Sequence, residues 1–160
     1  MSTYKQHFTF MQYKELYGDI FNNSLIFTII RNPYDRLYSA YKERYRSSSD
    51  PYLIDMMKSD NFEDFVLNKL EKILHNGNTH KGNITHILPQ SNFIQHCMNY
   101  VKIIKYENLN SLSTILKDND LNVDIIFNNT NDNYICNYND LMINKIQMLY
   151  KSDIELYNSL

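Results

Sequence analysis

The sequence predicts an α/β domain built on a parallel sheet, and three observations support this prediction. Two short runs rich in β-branched residues, Leu25–Ile30 and Val101–Tyr106, have the length and composition of strands. Each run is followed at once by a segment with helical features, and alternation of strands with helices is typical of α/β sheets. The chain contains no internal repeat, Pro/Gly linker or low-complexity block, so residues 1–160 are predicted to form a single domain.

The elements are predicted in chain order from local signals. Phe10–Tyr17 is expected to form a short helix that Gly18 ends, because glycine is the usual residue just past a helix. The continuous apolar run Leu25–Ile30 predicts a strand that is buried on both faces. Asn61–Leu74 is amphipathic and predicts a helix capped by Asn61. Asp64 is at the position whose side chain can accept a hydrogen bond from the Asn61 amide in return. Further helices are predicted over 109–117, 140–150 and 152–160.

A helix is expected directly after the first strand. Asn32 can cap it, Pro33 suits its first position, and Asp35 lies in the first turn, where the helix dipole favours an anion. The helix is predicted to continue to about Tyr45. Aromatic and leucine side chains recur along it at three- and four-residue spacing, so one face should be buried.

Composition excludes several classes of function. The net charge of -2 and the pI of about 6.2 argue against a nucleic-acid-binding protein, so an anion site would have to be local. No segment approaches the ~18 apolar residues of a membrane span, and Met1–Phe10 lacks the apolar core of a signal peptide. We therefore expect a soluble, intracellular protein. Cys97 and Cys136 have no metal-ligand spacing, and no metal is expected.

The segment Ile29–Tyr41 carries the strongest chemical signal. Its strand ends in Arg31, and ligands of open α/β sheets sit beyond the carboxyl ends of strands. A guanidinium suits bidentate binding of phosphate, a helix N-terminus favours an anion, and Ser39 adds a hydroxyl donor. The alternative interpretation is that the basic residues of this stretch are solvated charges on a helix surface.

This segment resembles the 3′-phosphate-binding segment of carbohydrate sulfotransferases, whose pattern is R-N/D-P-x-x-R-x-x-S-x-Y. In that family the first arginine and the serine hold the 3′-phosphate of the co-substrate PAPS (3′-phosphoadenosine 5′-phosphosulfate). The resemblance therefore implies that Arg31 and Ser39 bind this phosphate. Every fixed position of the pattern is met, by Arg31, Asn32, Pro33, Arg36, Ser39 and Tyr41.

Other segments resemble the same family in the same order. They are the His-containing segment around His7, the H-x-x-P-Q segment His86–Gln90, the strand and Y-E-x-L segment Ile104–Leu109, and the closing Y-x-x-D-x-x-x-aromatic helix Tyr150–Tyr157. The resemblance covers about residues 5–157 and implies a three-layer domain of the P-loop-NTPase type with a parallel sheet.

The chemistry that the resemblance implies is an in-line transfer of a sulfuryl group from PAPS to a hydroxyl group, with PAP as product. The acceptor would be a carbohydrate or a similar molecule. His7 is the candidate general base, although a lone histidine is more often a surface or structural residue. His86 and Gln90 are expected to orient substrate or to have a structural role.

One part of the family pattern has no match in the sequence. The family begins with a strand and a loop of the type K-x-x-x-T/S-S/T that binds the 5′-phosphosulfate, and no such segment is found here. We therefore expect a domain truncated at its N-terminus, which is inactive on its own and transfers sulfate only if a phosphate loop is supplied by another chain or by upstream residues. An exposed sheet edge or hydrophobic groove should favour self-association or a partner segment completing the sheet. The alternatives are a non-catalytic remnant that binds PAP, PAPS or a protein, and an unrelated nucleotide-binding domain.

Overall fold

The described residues form a small parallel sheet. The structure, a computed structural model, describes residues 8–43, 58–76, 85–95, 97, 100–121 and 136–160. In this part of the chain β1 (Phe27–Ile30) pairs with β2 (Lys102–Lys105), and the register runs from Phe27 opposite Lys102 to Ile30 opposite Lys105. Both predicted strands and their parallel arrangement are confirmed, each strand being shorter than predicted.

Helices account for most of the remaining described residues. A π-helical turn over Phe65–Lys69 joins α3 to α4, and single 3₁₀ turns at Gln90–Phe93 and Tyr106–Asn108 flank β2. No helix among the described residues has both the length and the apolar character that a membrane crossing requires. The helices are α1 (Phe10–Asn22), α2 (Pro33–Glu43), α3 (Phe62–Asp64), α4 (Leu70–Asn76), α5 (Asn110–Lys117), α6 (Asp140–Leu149) and α7 (Lys151–Ser159).

Gly18 kinks α1 instead of ending it. Thr9 and Gln12 form a reciprocal capping box, in which the Thr9 amide donates to Gln12 Oε1 at 2.8 Å and the Gln12 amide donates to Thr9 Oγ1 at 3.3 Å. At Gly18 the backbone takes φ 51° and ψ -123°, which glycine adopts at little cost. Helical bonding resumes afterwards and reaches Asn22, so the predicted end at Tyr17 is wrong.

The prediction that β1 is buried on both faces is also wrong. Successive strand residues point to opposite faces. Ile30 is only 2% exposed, whereas Phe27 and Ile29 on the other face remain 38% and 40% exposed. Ile30 packs with buried residues that include Leu156 of α7, while Phe27 and Ile29 line an open cavity.

The helix predicted over Asn61–Leu74 is confirmed as the continuous run from α3 to α4. Asn61 Oδ1 accepts from the Asp64 amide at 2.9 Å, as expected of the cap. Asp64 Oδ2 accepts from the amide of Asp60 at 3.3 Å. The predicted donor was the amide of Asn61, one residue later in the chain. The main hydrophobic core lies between this run, α2 and α6, and fixes α2 against the rest of the domain.

Candidate functional site

Arg31 and Tyr106 lie side by side at the carboxyl edge of the sheet. The register pairs Ile30 with Lys105, so the residues that follow the two strands are neighbours. Arg31 Cζ lies 5.1 Å from the centroid of the Tyr106 ring, within the range of a cation–π contact. This is the edge beyond which ligands bind in open α/β sheets.

The N-terminus of α2 begins at the same edge. Asn32 Oδ1 accepts from the Tyr34 amide at 3.0 Å, and the Asn32 carbonyl accepts from the Arg36 amide at 2.9 Å. Pro33 occupies the first helical position and Asp35 the first turn, so the predicted cap is confirmed. The positive end of the helix dipole therefore lies beside Arg31.

Ser39 lies two helical turns further along α2. It is seven residues after Asn32, and this spacing places both residues on the same stripe of the helix. Because Cα–Cβ bonds tilt toward the N-terminus of a helix, the Cβ atom of Ser39 points toward the end of α2 where Arg31 lies. Both Arg31 and Ser39 are half-buried.

The side-chain amide of Gln90 binds the backbone of Arg31 through two hydrogen bonds. The Arg31 amide donates to Gln90 Oε1 at 3.0 Å, and Gln90 Nε2 donates to the Arg31 carbonyl at 2.9 Å. These residues are 59 positions apart in the chain. The contact joins the predicted H-x-x-P-Q segment to the end of β1.

Asp153 fixes the other side of Gln90. Its Oδ2 accepts from the Gln90 amide at 2.7 Å, and its Oδ1 accepts from the Ser91 amide at 2.8 Å. The residue is only 2% exposed, so both carboxylate oxygens are satisfied within the protein. Asp153 lies in the first turn of α7, which ties this helix to the segment that contacts Arg31.

Arg36, the second arginine of the motif, lies on α2 and binds the segment that precedes Gln90. Its Nη1 donates to the Leu88 carbonyl at 2.7 Å and its Nη2 to the Thr85 carbonyl at 3.3 Å. Burial lowers the pKa of the Arg36 guanidinium, and the nearby Tyr150 and Asp153 oppose that shift. An arginine stays protonated under such a shift. The structure thus gives Arg36 a role that the sequence did not predict.

The sheet edge also includes side chains that the sequence did not single out as site residues. Lys105 Nζ lies 4.5 Å from the centroid of the Tyr157 ring. The pKa of Tyr157 is raised, first by burial and then by a hydrogen bond with Glu107, while a hydrogen bond with Asn32 lowers it. Because Tyr157 lies on α7, both the register of β1 and β2 and the packing of α7 would have been needed to place these side chains together.

An open cavity of about 460 Å³ lies along β1. His86 and Gln90 line it, as do the aromatic side chains Phe8, Tyr13, Phe27 and Phe93. His7, the candidate base, lies outside the described residues; Phe8 is the next residue in the chain. The cavity therefore combines polar groups with aromatic rings in its lining.

A comparison with protein-family models assigns residues 2–158 to the model described as "Sulfotransferase family". No curated protein matches the chain significantly, and neither does any solved structure. The matched range includes the Arg31 segment, the Gln90 segment and the helix that carries Asp153. The hydrogen bonds among Arg31, Gln90 and Asp153 therefore connect segments that all lie within the range matched by one family model.

Proposed function

The chain belongs to the sulfotransferase family, and on this premise we propose that it transfers a sulfuryl group from PAPS to a hydroxyl group of a carbohydrate or similar acceptor. PAP is the second product. The observation that supports this proposal most is Arg31 at the carboxyl end of β1, beside the capped N-terminus of α2 and in cation–π contact with Tyr106. Such an edge attracts an anion by charge, by the helix dipole and by position.

We assign the 3′-phosphate of the nucleotide to Arg31 and Ser39. The Tyr106 ring holds the Arg31 guanidinium in place by a cation–π contact, and the planar fork of a guanidinium can form two parallel hydrogen bonds to a phosphate. Arg36 is the less suitable arginine, because Leu88 and Thr85 carbonyls already accept from it. Ser39 would add a hydroxyl donor from the same stripe of α2 that begins at Asn32.

We assign the acceptor to the cavity along β1. Its volume of about 460 Å³ lies within the range typical of small-molecule sites. Rings such as Phe27 and Phe93 can stack on the apolar face of a sugar, while His86 supplies a polar contact. In the reaction the acceptor oxygen bonds to sulfur as the bond from sulfur to the PAPS phosphate oxygen breaks, and His7 takes the acceptor's proton.

For the fold, we propose a single three-layer domain of the P-loop-NTPase type over residues 1–160. The parallel pairing of β1 with β2 and the helix that follows each strand support this arrangement. A second candidate function is a non-catalytic module that binds PAP, PAPS or a protein. It is supported by the exposed apolar side chains Phe27 and Ile29, which suit self-association, and by β1 pairing within the described residues only with β2, which leaves an edge for a partner segment that completes the sheet.

The nucleotide site is tested by thermal shift with PAP on the wild type and on Arg31→Ala. We expect PAP to stabilise the wild type and to stabilise Arg31→Ala much less, because a hydrogen bond to a charged group contributes about 1.5–3 kcal/mol. Lys151→Ala is the matched control, since it also removes one positive charge but lies on α7 in an exposed pair with Glu155. A wild type that PAP does not stabilise would contradict the nucleotide site.

Catalysis is tested by transfer of labelled sulfate from PAPS to a panel of carbohydrates. Transfer by the wild type, lost in His7→Ala, would support the enzyme and its base. Binding of PAP without transfer to any acceptor would favour the non-catalytic module. Transfer that survives in His7→Ala at the wild-type rate would exclude His7 as the base.

A further inference from the structure

The backbone of Arg31 is held by a side chain and not by the neighbouring strand. The pairing of β1 with β2 ends at Ile30, so Arg31 lies one residue beyond the register. At this point Gln90 accepts from the Arg31 amide at 3.0 Å and donates to the Arg31 carbonyl at 2.9 Å. A carboxamide that bonds both groups of one residue fixes that residue's backbone as a neighbouring strand would.

Gln90 is itself fixed from two directions. Asp153 of α7 accepts from the Gln90 and Ser91 amides, at 2.7 and 2.8 Å, and is 2% exposed. Arg36 of α2 donates to the carbonyl of Leu88, two residues earlier in the chain, at 2.7 Å. The Gln90 carboxamide that holds Arg31 therefore belongs to a segment bonded to both helices, and this segment cannot shift without breaking part-buried hydrogen bonds.

We propose that Gln90 is a positioning residue for Arg31, and through it for the 3′-phosphate of the nucleotide. Gln90 fixes the direction in which the Arg31 side chain leaves the backbone, and the Tyr106 ring fixes the position of its guanidinium. An arginine held at both ends loses less rotational freedom when it binds a phosphate, so its hydrogen bonds contribute more to affinity. This inference rests on the proposed binding of the 3′-phosphate by Arg31.

The test is a double-mutant cycle on PAP affinity, measured by titration calorimetry with the wild type, Arg31→Ala, Gln90→Met and the double variant. Methionine is close to glutamine in shape and removes both hydrogen bonds to Arg31 without adding a charge. We expect Gln90→Met to weaken PAP binding about tenfold, because small displacements of a binding group have large effects. In the Arg31→Ala background the same substitution should change the affinity less than about twofold.

A purely structural role for Gln90 predicts a different pattern. The weakening would then be the same in both backgrounds, or absent in both, and either outcome would overturn the inference while Arg31→Ala still weakens PAP. If Arg31→Ala leaves PAP affinity unchanged, the proposed phosphate site fails and the inference fails with it. Gln12→Met is the matched control, because it removes a glutamine side chain whose bond is to Thr9, in the cap of α1.

Gln90→Glu replaces Gln90→Met in the double-mutant cycle if the methionine variant does not fold. Gln90→Glu keeps the acceptor for the Arg31 amide and loses only the donor to the Arg31 carbonyl. Direct repulsion of the phosphate by the new carboxylate would persist in the Arg31→Ala background, so the cycle still isolates the effect that acts through Arg31. Equal weakening in the two backgrounds would again overturn the inference.

Discussion

Replacing Asp153 by asparagine should destabilise the fold strongly, although the two side chains have nearly the same shape. In the wild type both carboxylate oxygens accept from amides, at 2.7 Å from Gln90 and 2.8 Å from Ser91, and the residue is 2% exposed. Asparagine offers one oxygen, so its NH₂ group must face one of the two N–H donors. One N–H donor of this part-buried contact then loses its partner and meets another donor.

The magnitude follows from the bonds involved. A hydrogen bond to a charged group contributes about 1.5–3 kcal/mol, and a buried donor left without a partner costs about 1–3 kcal/mol. Arg36 also loses an attractive charge, since Asp153 is one of the groups that favour its charged form. Because these contributions overlap, we expect a loss of about 2–4 kcal/mol in the free energy of unfolding.

Urea denaturation at neutral pH measures this loss. The midpoint should fall for Asp153→Asn while the slope stays unchanged, because the surface exposed on unfolding is the same. Asp140→Asn is the matched control: Asp140 is exposed in the first turn of α6, and its neutralisation should cost about 0.3–1 kcal/mol. A free energy of unfolding for Asp153→Asn within about 0.5 kcal/mol of the wild type would refute the reasoning.

Two further predictions concern pH and association. A hydrogen bond and the charge of Lys145 lower the pKa of Glu71, so the pair stabilises the fold above the ordinary carboxyl pKa, and this stability is lost as the pH falls through the lowered pKa. Glu71→Gln should therefore make the urea midpoint fall less steeply at acid pH than it does in the wild type. The same fall in both proteins would contradict this. In the second candidate function the exposed side chains Phe27 and Ile29 of β1 mediate self-association, so Ile29→Thr should reduce it in sedimentation velocity. Leu141→Thr, at an exposed position of α6, should not; equal effects of the two substitutions would contradict a role for the β1 face.

The sequence could predict the strand–helix unit because its signals are local. A β-branched run, then Asn32, Pro33 and Asp35, specify a strand end, a cap and a first turn within a few residues. The cap of the Asn61 helix was predictable for the same reason. The interruption of α1 was predicted at the right residue, but glycine permits a kink as readily as an end, and the sequence does not distinguish the two.

The contacts that organise the site were beyond such reasoning because they join distant segments. Gln90 is 59 residues from Arg31, and Asp153 is 63 from Gln90. Motif matching selected Gln90 and pointed to the helix of Asp153, but only the fold shows that one holds the backbone of Arg31 and the other holds Gln90. The exposed face of β1 was missed because a short apolar run does not reveal which of its faces is covered.

Binding of two nucleotides by calorimetry tests the central claim most directly. PAP and adenosine 5′-phosphate differ by the 3′-phosphate that we assign to Arg31 and Ser39. We predict that the wild type prefers PAP, that Arg31→Ala reduces this preference about tenfold or more, and that Ser39→Ala reduces it about fivefold. Variants that keep the wild-type preference for PAP, or that weaken both nucleotides equally, would contradict the claim.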